Sequence, residues 1–119
     1  MLTLIIYDIS EDKPRTKLVK HLQNFGLRRV QYSGFVGELN PHDRNILVKE
    51  LKQYITPLEE KIKKKEKEMG GALGEKELAQ IKPDSIYVIP LCERCIRICR
   101  IVSDQDISLT TQGEITVVG

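Results

Sequence analysis

The chain is poor in the residues that would staple, anchor or strongly polarise it. Among 119 residues only Cys92, Cys95 and Cys99 are cysteines. An odd number in a chain that reads as intracellular argues against a disulfide framework. Histidine is scarcer still, with His21 and His42 alone, both distant in sequence from the cysteines. A zinc site wants four ligands, and an iron–sulfur cluster a fourth thiolate or a substitute, so Cys-x-x-Cys is read as structural or incidental. Long apolar runs are missing, so no membrane span is expected. No basic stretch leads into a cleavable apolar segment, and the expected location is cytoplasmic. The net charge of +2 is too small to name a partner.

What is present describes one ordinary globule. A composition 40% apolar and 30% charged over 119 residues suits a single domain, residues 1–119, that buries a core without staples. Arg15, Lys17, Lys20, Arg28 and Arg29 fall in the first quarter of the chain, which points to an anionic ligand there.

Along the chain, MLTLIIYDIS reads as a central strand ending on Asp8, a carboxylate that asks for a partner. Asp12 suits an N-cap, Pro14 the first helical turn, and Leu18, Val19, Leu22 and Phe25 one apolar helix face, stopped at Gly26. Arg29 to Leu39 reads as two short strands around Ser33-Gly34. Asn40-Pro41 opens a second helix with Ile46, Leu47, Leu51 and Ile55 on its apolar face. Pro57 interrupts it, and Thr56-Pro-Leu-Glu59 resembles a capping box. From about 59 to 84, EEKIKKKEKE and three glycines read as a solvated helix and flexible loop inserted between core elements. Ser85 to Leu91 is a buried strand, and Ile96–Val102 and Glu114–Val118 are expected as further short strands.

Strand, helix, hairpin, helix and strand make a ferredoxin-like βαββαβ fold of the α+β class. Its antiparallel sheet carries both helices on one face, with extra C-terminal strands. The surplus tail points to a homodimer in which it crosses to the partner's sheet.

The segment YDISEDKPRTKLVKHLQNFGLRRVQYSGFVGEL, with a later strand ending SIYVIPLCERC, resembles CRISPR-associated protein two. This family is the small subunit of the spacer-acquisition complex, described also as a metal-dependent endoribonuclease. The resemblance spans about three quarters of the chain and implies that Asp8 faces its own copy across a two-fold axis. Two carboxylates there would bind Mg²⁺ or Mn²⁺ and act on a phosphodiester of RNA or DNA. It implies nucleic-acid contacts for Arg15, Lys17 and Arg29, and site support from Phe35 and Ser33. Tyr7 and Tyr32 are assigned mainly to packing and dimer contacts. Gly34 and Val36 depart from the family, which usually has a bulkier apolar residue at the first and often an acidic one at the second. The alternative is a non-catalytic dimer bridging the acquisition integrase, since no histidine or lysine is well placed as a general base. A toxin-like ribonuclease is a more remote possibility.

Overall fold

The computed structural model describes residues 1–102, 107–109 and 115–117. The apolar opening run forms β1 (Leu2–Asp8), which lies in the interior of a four-stranded sheet. Its neighbours are β3 (Gly34–Glu38) and β4 (Ser85–Leu91), both antiparallel, and β2 (Arg28–Gln31) pairs outside β3. The order β2-β3-β1-β4 is that of the ferredoxin-like fold.

The strand period of two sorts the side chains onto two faces. On one face Ile5, Tyr7 and Phe35 form a core with Leu18 and Leu22 of α1 (Asp12–Asn24) and Leu47 and Leu51 of α2 (Pro41–Leu51). Asn40 caps α2 by accepting from the Asp43 N–H at 2.7 Å, and Pro41 takes the first helical position. A 3₁₀ turn, Lys52–Tyr54, ends that helix. His21 ties the two helices together, one ring nitrogen 2.7 Å from the Tyr54 hydroxyl and the other 2.7 Å from the Glu50 carboxylate. Gly37 lets β3 lie against Leu27, because a Cβ there would stand 2.5 Å from the Leu27 Cδ2.

The opposite face is only partly covered. α5 (Glu93–Ile98) lays Ile96 over Leu2 and Val36. Farther along, Tyr87 and Ile89 remain 59% and 37% exposed. The expected strand Ile96–Val102 is therefore corrected: its first half is helical. The alternation of isoleucines suggested a strand, but the Cys92 Sγ accepts the Cys95 N–H at 3.4 Å and caps a helical turn. That turn drops Ile96 into the gap above Val36.

Two further expectations fail locally. Glu11, not Asp12, is the N-cap of α1. The capping box at Thr56 does not form, because Pro57 precedes α3 (Leu58–Met69) and the Thr56 N–H is donated to Asp84 at 3.0 Å. The charged segment does form a helix, α3, followed by α4 (Glu75–Gln80). Its Lys61, however, is buried rather than solvated and pairs with Asp84 at the foot of β4. The tail forms a separate two-stranded sheet of β5 (Ile107–Leu109) and β6 (Ile115–Val117). Glu114 and Val118, the ends of the expected last strand, lie outside the described residues.

Candidate nucleic-acid interface

The end of β1 turns its last two side chains to opposite faces of the sheet. Tyr7 turns toward the helices and is buried, 3% exposed, with its ring 6.3 Å from that of Phe35 and inclined 29° to it. Its N–H donates to the Ser33 carbonyl at 3.0 Å and its hydroxyl to the Tyr32 carbonyl at 2.8 Å. These two bonds pin the β2–β3 turn onto the sheet and lift the Tyr32 ring into solvent, 72% exposed.

Two guanidinium groups gather around that ring. Arg29, on β2, lies 5.9 Å from the Tyr32 ring centroid and 5.2 Å from that of Phe35, and donates to the Tyr7 hydroxyl at 3.4 Å. Arg15, on α1, lies 6.0 Å from the same Tyr32 ring. Its guanidinium donates to the Ile9 carbonyl at 3.1 Å and pairs with Asp12. Both contacts to Tyr32 fall within cation–π range. Between them runs a groove of about 350 Å³ whose floor includes Val19 and Gln23 and whose third cation is Lys20. Three cations face one carboxylate, Asp12, so the groove suits an anion. Planar guanidiniums can each take a phosphate with two parallel hydrogen bonds.

The proposed site residues do not all meet. Arg15 and Arg29 come together; Lys17 stands exposed on α1 outside the groove, and Lys20 lines it instead. Thr16, Val19, Lys20 and Gln23 follow helical spacing, a stripe visible in the sequence. Phe35 is fully buried and supports Arg29 from below, while Ser33 contributes its backbone carbonyl. Tyr32, assigned to packing and dimer contacts, does not pack within the chain and is the most exposed aromatic side chain around the groove. Only its position in the Tyr-Ser-Gly turn hinted at this.

The model of the family described as CRISPR associated protein Cas2 matches residues 1–68, and this stretch includes every residue of the groove. The chain belongs to the Cas2 family. It is 35% identical over 112 residues to the CRISPR-associated endoribonuclease Cas2 1 of Archaeoglobus fulgidus, covering 94% of each chain. A second relative, the CRISPR-associated endoribonuclease Cas2 2 of Pyrobaculum aerophilum, is 43% identical over 53 residues, 44% of this chain and 58% of its own. The CRISPR-associated endonuclease Cas1/endonuclease Cas2 fusion of Thermoproteus tenax is 43% identical over 51 residues, 43% of this chain and 18% of the fusion. The protein is thus CRISPR-associated, and among the described residues no helix is long and apolar enough to cross a membrane.

Within this Cas2 chain, Asp8 projects from the other side of β1. It is exposed, opposite Ser85 in the β1–β4 register, on the face that carries Ile6 and Tyr87. No ion pair or hydrogen bond to its carboxylate is found among the described residues. Neither does one chain form a cation site: among the described residues no cluster of three or more histidine, cysteine or acidic side chains could hold a metal ion. The donors fit a hard divalent cation only if a second carboxylate comes from another copy and water completes the shell. Val36, where the family often has an acid, is fully buried under Ile96 and offers no oxygen.

Proposed function

We propose that this Cas2 chain acts as a homodimer that binds RNA or DNA through the Arg15–Tyr32–Arg29 groove, beside the CRISPR acquisition integrase in the cytoplasm. The groove carries the reading: two guanidiniums and Lys20 take phosphates, and the exposed Tyr32 ring offers a stacking surface to a base. Support for the dimer comes from the uncovered sheet face, where Tyr87 and Ile89 lie in register with Ile6 and Leu4. A two-fold axis through that face would bury this apolar strip and bring two copies of Asp8 close together. Two carboxylates at one axis repel unless a cation sits between them, which makes Mg²⁺ or Mn²⁺ the fitting ligand. Such an ion supplies charge neutralisation at a phosphodiester and an activated water. The relatives named as endoribonucleases support cleavage as one activity of the dimer.

The non-catalytic adaptor is the second reading, favoured by the division of β1. Tyr7 and the groove lie on the helix face, whereas Asp8 lies on the open face, so the phosphate-binding side chains and the carboxylate point to opposite sides of the sheet. His21 has both ring nitrogens engaged and supplies no free base. The relative named as a Cas1/Cas2 fusion supports a partner within CRISPR acquisition.

One set of variants tests both. Arg29→Ala should weaken binding of labelled RNA and DNA about equally across sequences and reduce the slope of log affinity against log salt by roughly 1. Asp8→Asn should leave binding and dimerisation intact and abolish cleavage in Mg²⁺ or Mn²⁺, since a neutral amide is a poor ligand for a hard cation. Spacer acquisition that persists in Asp8→Asn identifies the adaptor; acquisition lost with dimer and binding intact identifies the nuclease. Unchanged binding in Arg29→Ala would refute the groove.

A further inference from the structure

The three cysteines, set aside on composition, are not equivalent in the fold. Cys92 and Cys95 are both exposed, and their Sγ atoms lie 3.3 Å apart across the first turn of α5. A disulfide bond is about 2.05 Å long, so the two sulfurs need approach by little more than roughly 1 Å, within reach of side-chain rotation. Cys99 is exposed too, but it closes the helix, and no sulfur contact to it is found among the described residues. The surrounding stretch is basic: Arg94, Arg97 and Arg100 against one carboxylate, Glu93.

We infer that Cys92 and Cys95 form a dithiol–disulfide exchange site whose substrate is an anionic low-molecular-weight disulfide. The two thiols divide the labour. The Cys95 N–H donates to the Cys92 sulfur at 3.4 Å, and with the Cys95 sulfur 3.3 Å away this holds the Cys92 thiol below the ordinary range, whereas the facing Cys92 pushes the Cys95 thiol up. Thiolate, not thiol, is the nucleophile, so Cys92 attacks and Cys95 resolves. In the first step the Cys92 thiolate bonds to one sulfur of the substrate. The substrate S–S bond breaks, and one thiolate leaves and takes up a proton. Cys95 then loses its proton to solvent and attacks the Cys92 sulfur, expelling the second thiol. Overall the protein dithiol loses two electrons and two protons, and the small disulfide becomes two thiols. The site lies on the helix that covers Leu2 and Val36, so its redox state marks the covered end of the otherwise open sheet face.

Glutathione disulfide is a suitable probe for the full-length protein. The wild type should lose two hydrogens by mass spectrometry, with a Cys92–Cys95 bond linking the two tryptic peptides that end at Arg94 and Arg97, and dithiothreitol should reverse it. Cys95→Ser should accumulate one glutathione adduct on Cys92, and Cys99→Ser should behave as wild type. Iodoacetamide should modify Cys92 several-fold faster than Cys99 at neutral pH. Three outcomes would overturn the assignment. One is an adduct spread evenly over the remaining cysteines in Cys95→Ser. Another is oxidation that yields only chain-to-chain bonds. The third is a zinc ion retained by the pair that blocks exchange.

Discussion

Replacing Lys61 by alanine should cost this protein about 3 kcal/mol at neutral pH, although Lys61 sits in a segment that is otherwise charged and solvated. The Asp84 and Lys61 side chains are 1% and 7% exposed, respectively. Asp84 pairs with the Lys61 ammonium and accepts from the Thr56 N–H at 3.0 Å and from the Ser10 N–H and hydroxyl at 3.4 Å each. Lys61 also donates to the Ser10 hydroxyl at 2.9 Å and the Lys82 carbonyl at 2.8 Å. The pair therefore joins the segment after β1, the linker before α3, α3 itself and the segment leading into β4. Removing the ammonium leaves a buried carboxylate with neutral donors only, and losing one partner of a buried pair costs about 3–5 kcal/mol. We take the lower end because Asp84 keeps three donors.

Urea denaturation followed by circular dichroism, at one fixed protein concentration, measures the loss; the melting temperature should fall by on the order of 10 °C. The pH dependence has a definite sign. Burial pushes the Asp84 carboxyl up, but the Lys61 ammonium and the Thr56 and Ser10 donors outweigh it and hold it below the usual carboxylate range. The wild type therefore carries this contribution in full above about pH 4, the unfolded carboxylate range, and loses it as pH falls through the lower folded value. In Lys61→Ala the lowering by the ammonium is gone, the carboxyl protonates more readily than in wild type, and the gap to wild type should narrow toward acid. Lys61→Met combined with Asp84→Leu should recover most of the loss, because no buried charge remains. A Lys61→Ala protein within about 0.5 kcal/mol of wild type would refute the reasoning and return residues 59–84 to the periphery.

Gly37→Ala should destabilise by about 1–3 kcal/mol in the same assay, since its Cβ would meet Leu27 Cδ2 at 2.5 Å and Leu27 Cα at 3.2 Å; an unchanged denaturation midpoint would mean that β3 and Leu27 move apart freely. Tyr32→Ala should weaken single-stranded RNA binding by about 1–3 kcal/mol in fluorescence anisotropy and change duplex binding less, with thermal stability unaltered because the ring is largely exposed. Equal loss on both substrates would remove the stacking role. Deleting residues 115–119 should shift the protein toward monomer in analytical ultracentrifugation; a truncated chain that stays a tight dimer would exclude a crossing tail.

The four-stranded sheet and its two long helices were legible because their apolar residues keep strict periods. Leu2, Leu4 and Ile6 alternate with Ile5 and Tyr7, and both sets are apolar, which marks a strand flanked on either side. Asn40-Pro41 announces α2 through a cap that acts within one turn. These are local signals, readable wherever the chain itself supplies both halves of an interaction. Arg15 and Arg29 were legible only as charges. Their convergence on Tyr32 depends on Tyr7, 22 residues before Arg29, anchoring the turn from the sheet.

Sequence alone therefore determined the order of the core elements from β1 to β4, the fold class and Asp8 at the end of β1, because periodicity, caps and turns act over a few residues. Tertiary structure decided which of many similar side chains matter. Nothing in EEKIKKKEKE separates Lys61 from its neighbours; Asp84, 23 residues away, buries it. Nothing in IRICRIV forbids a strand; the space above Leu2 and Val36 is filled by Ile96 from a helix capped by Cys92. In each case the deciding partner lies far along the chain or across a packed face, where desolvation and shape make the selection and local pattern carries no trace of it.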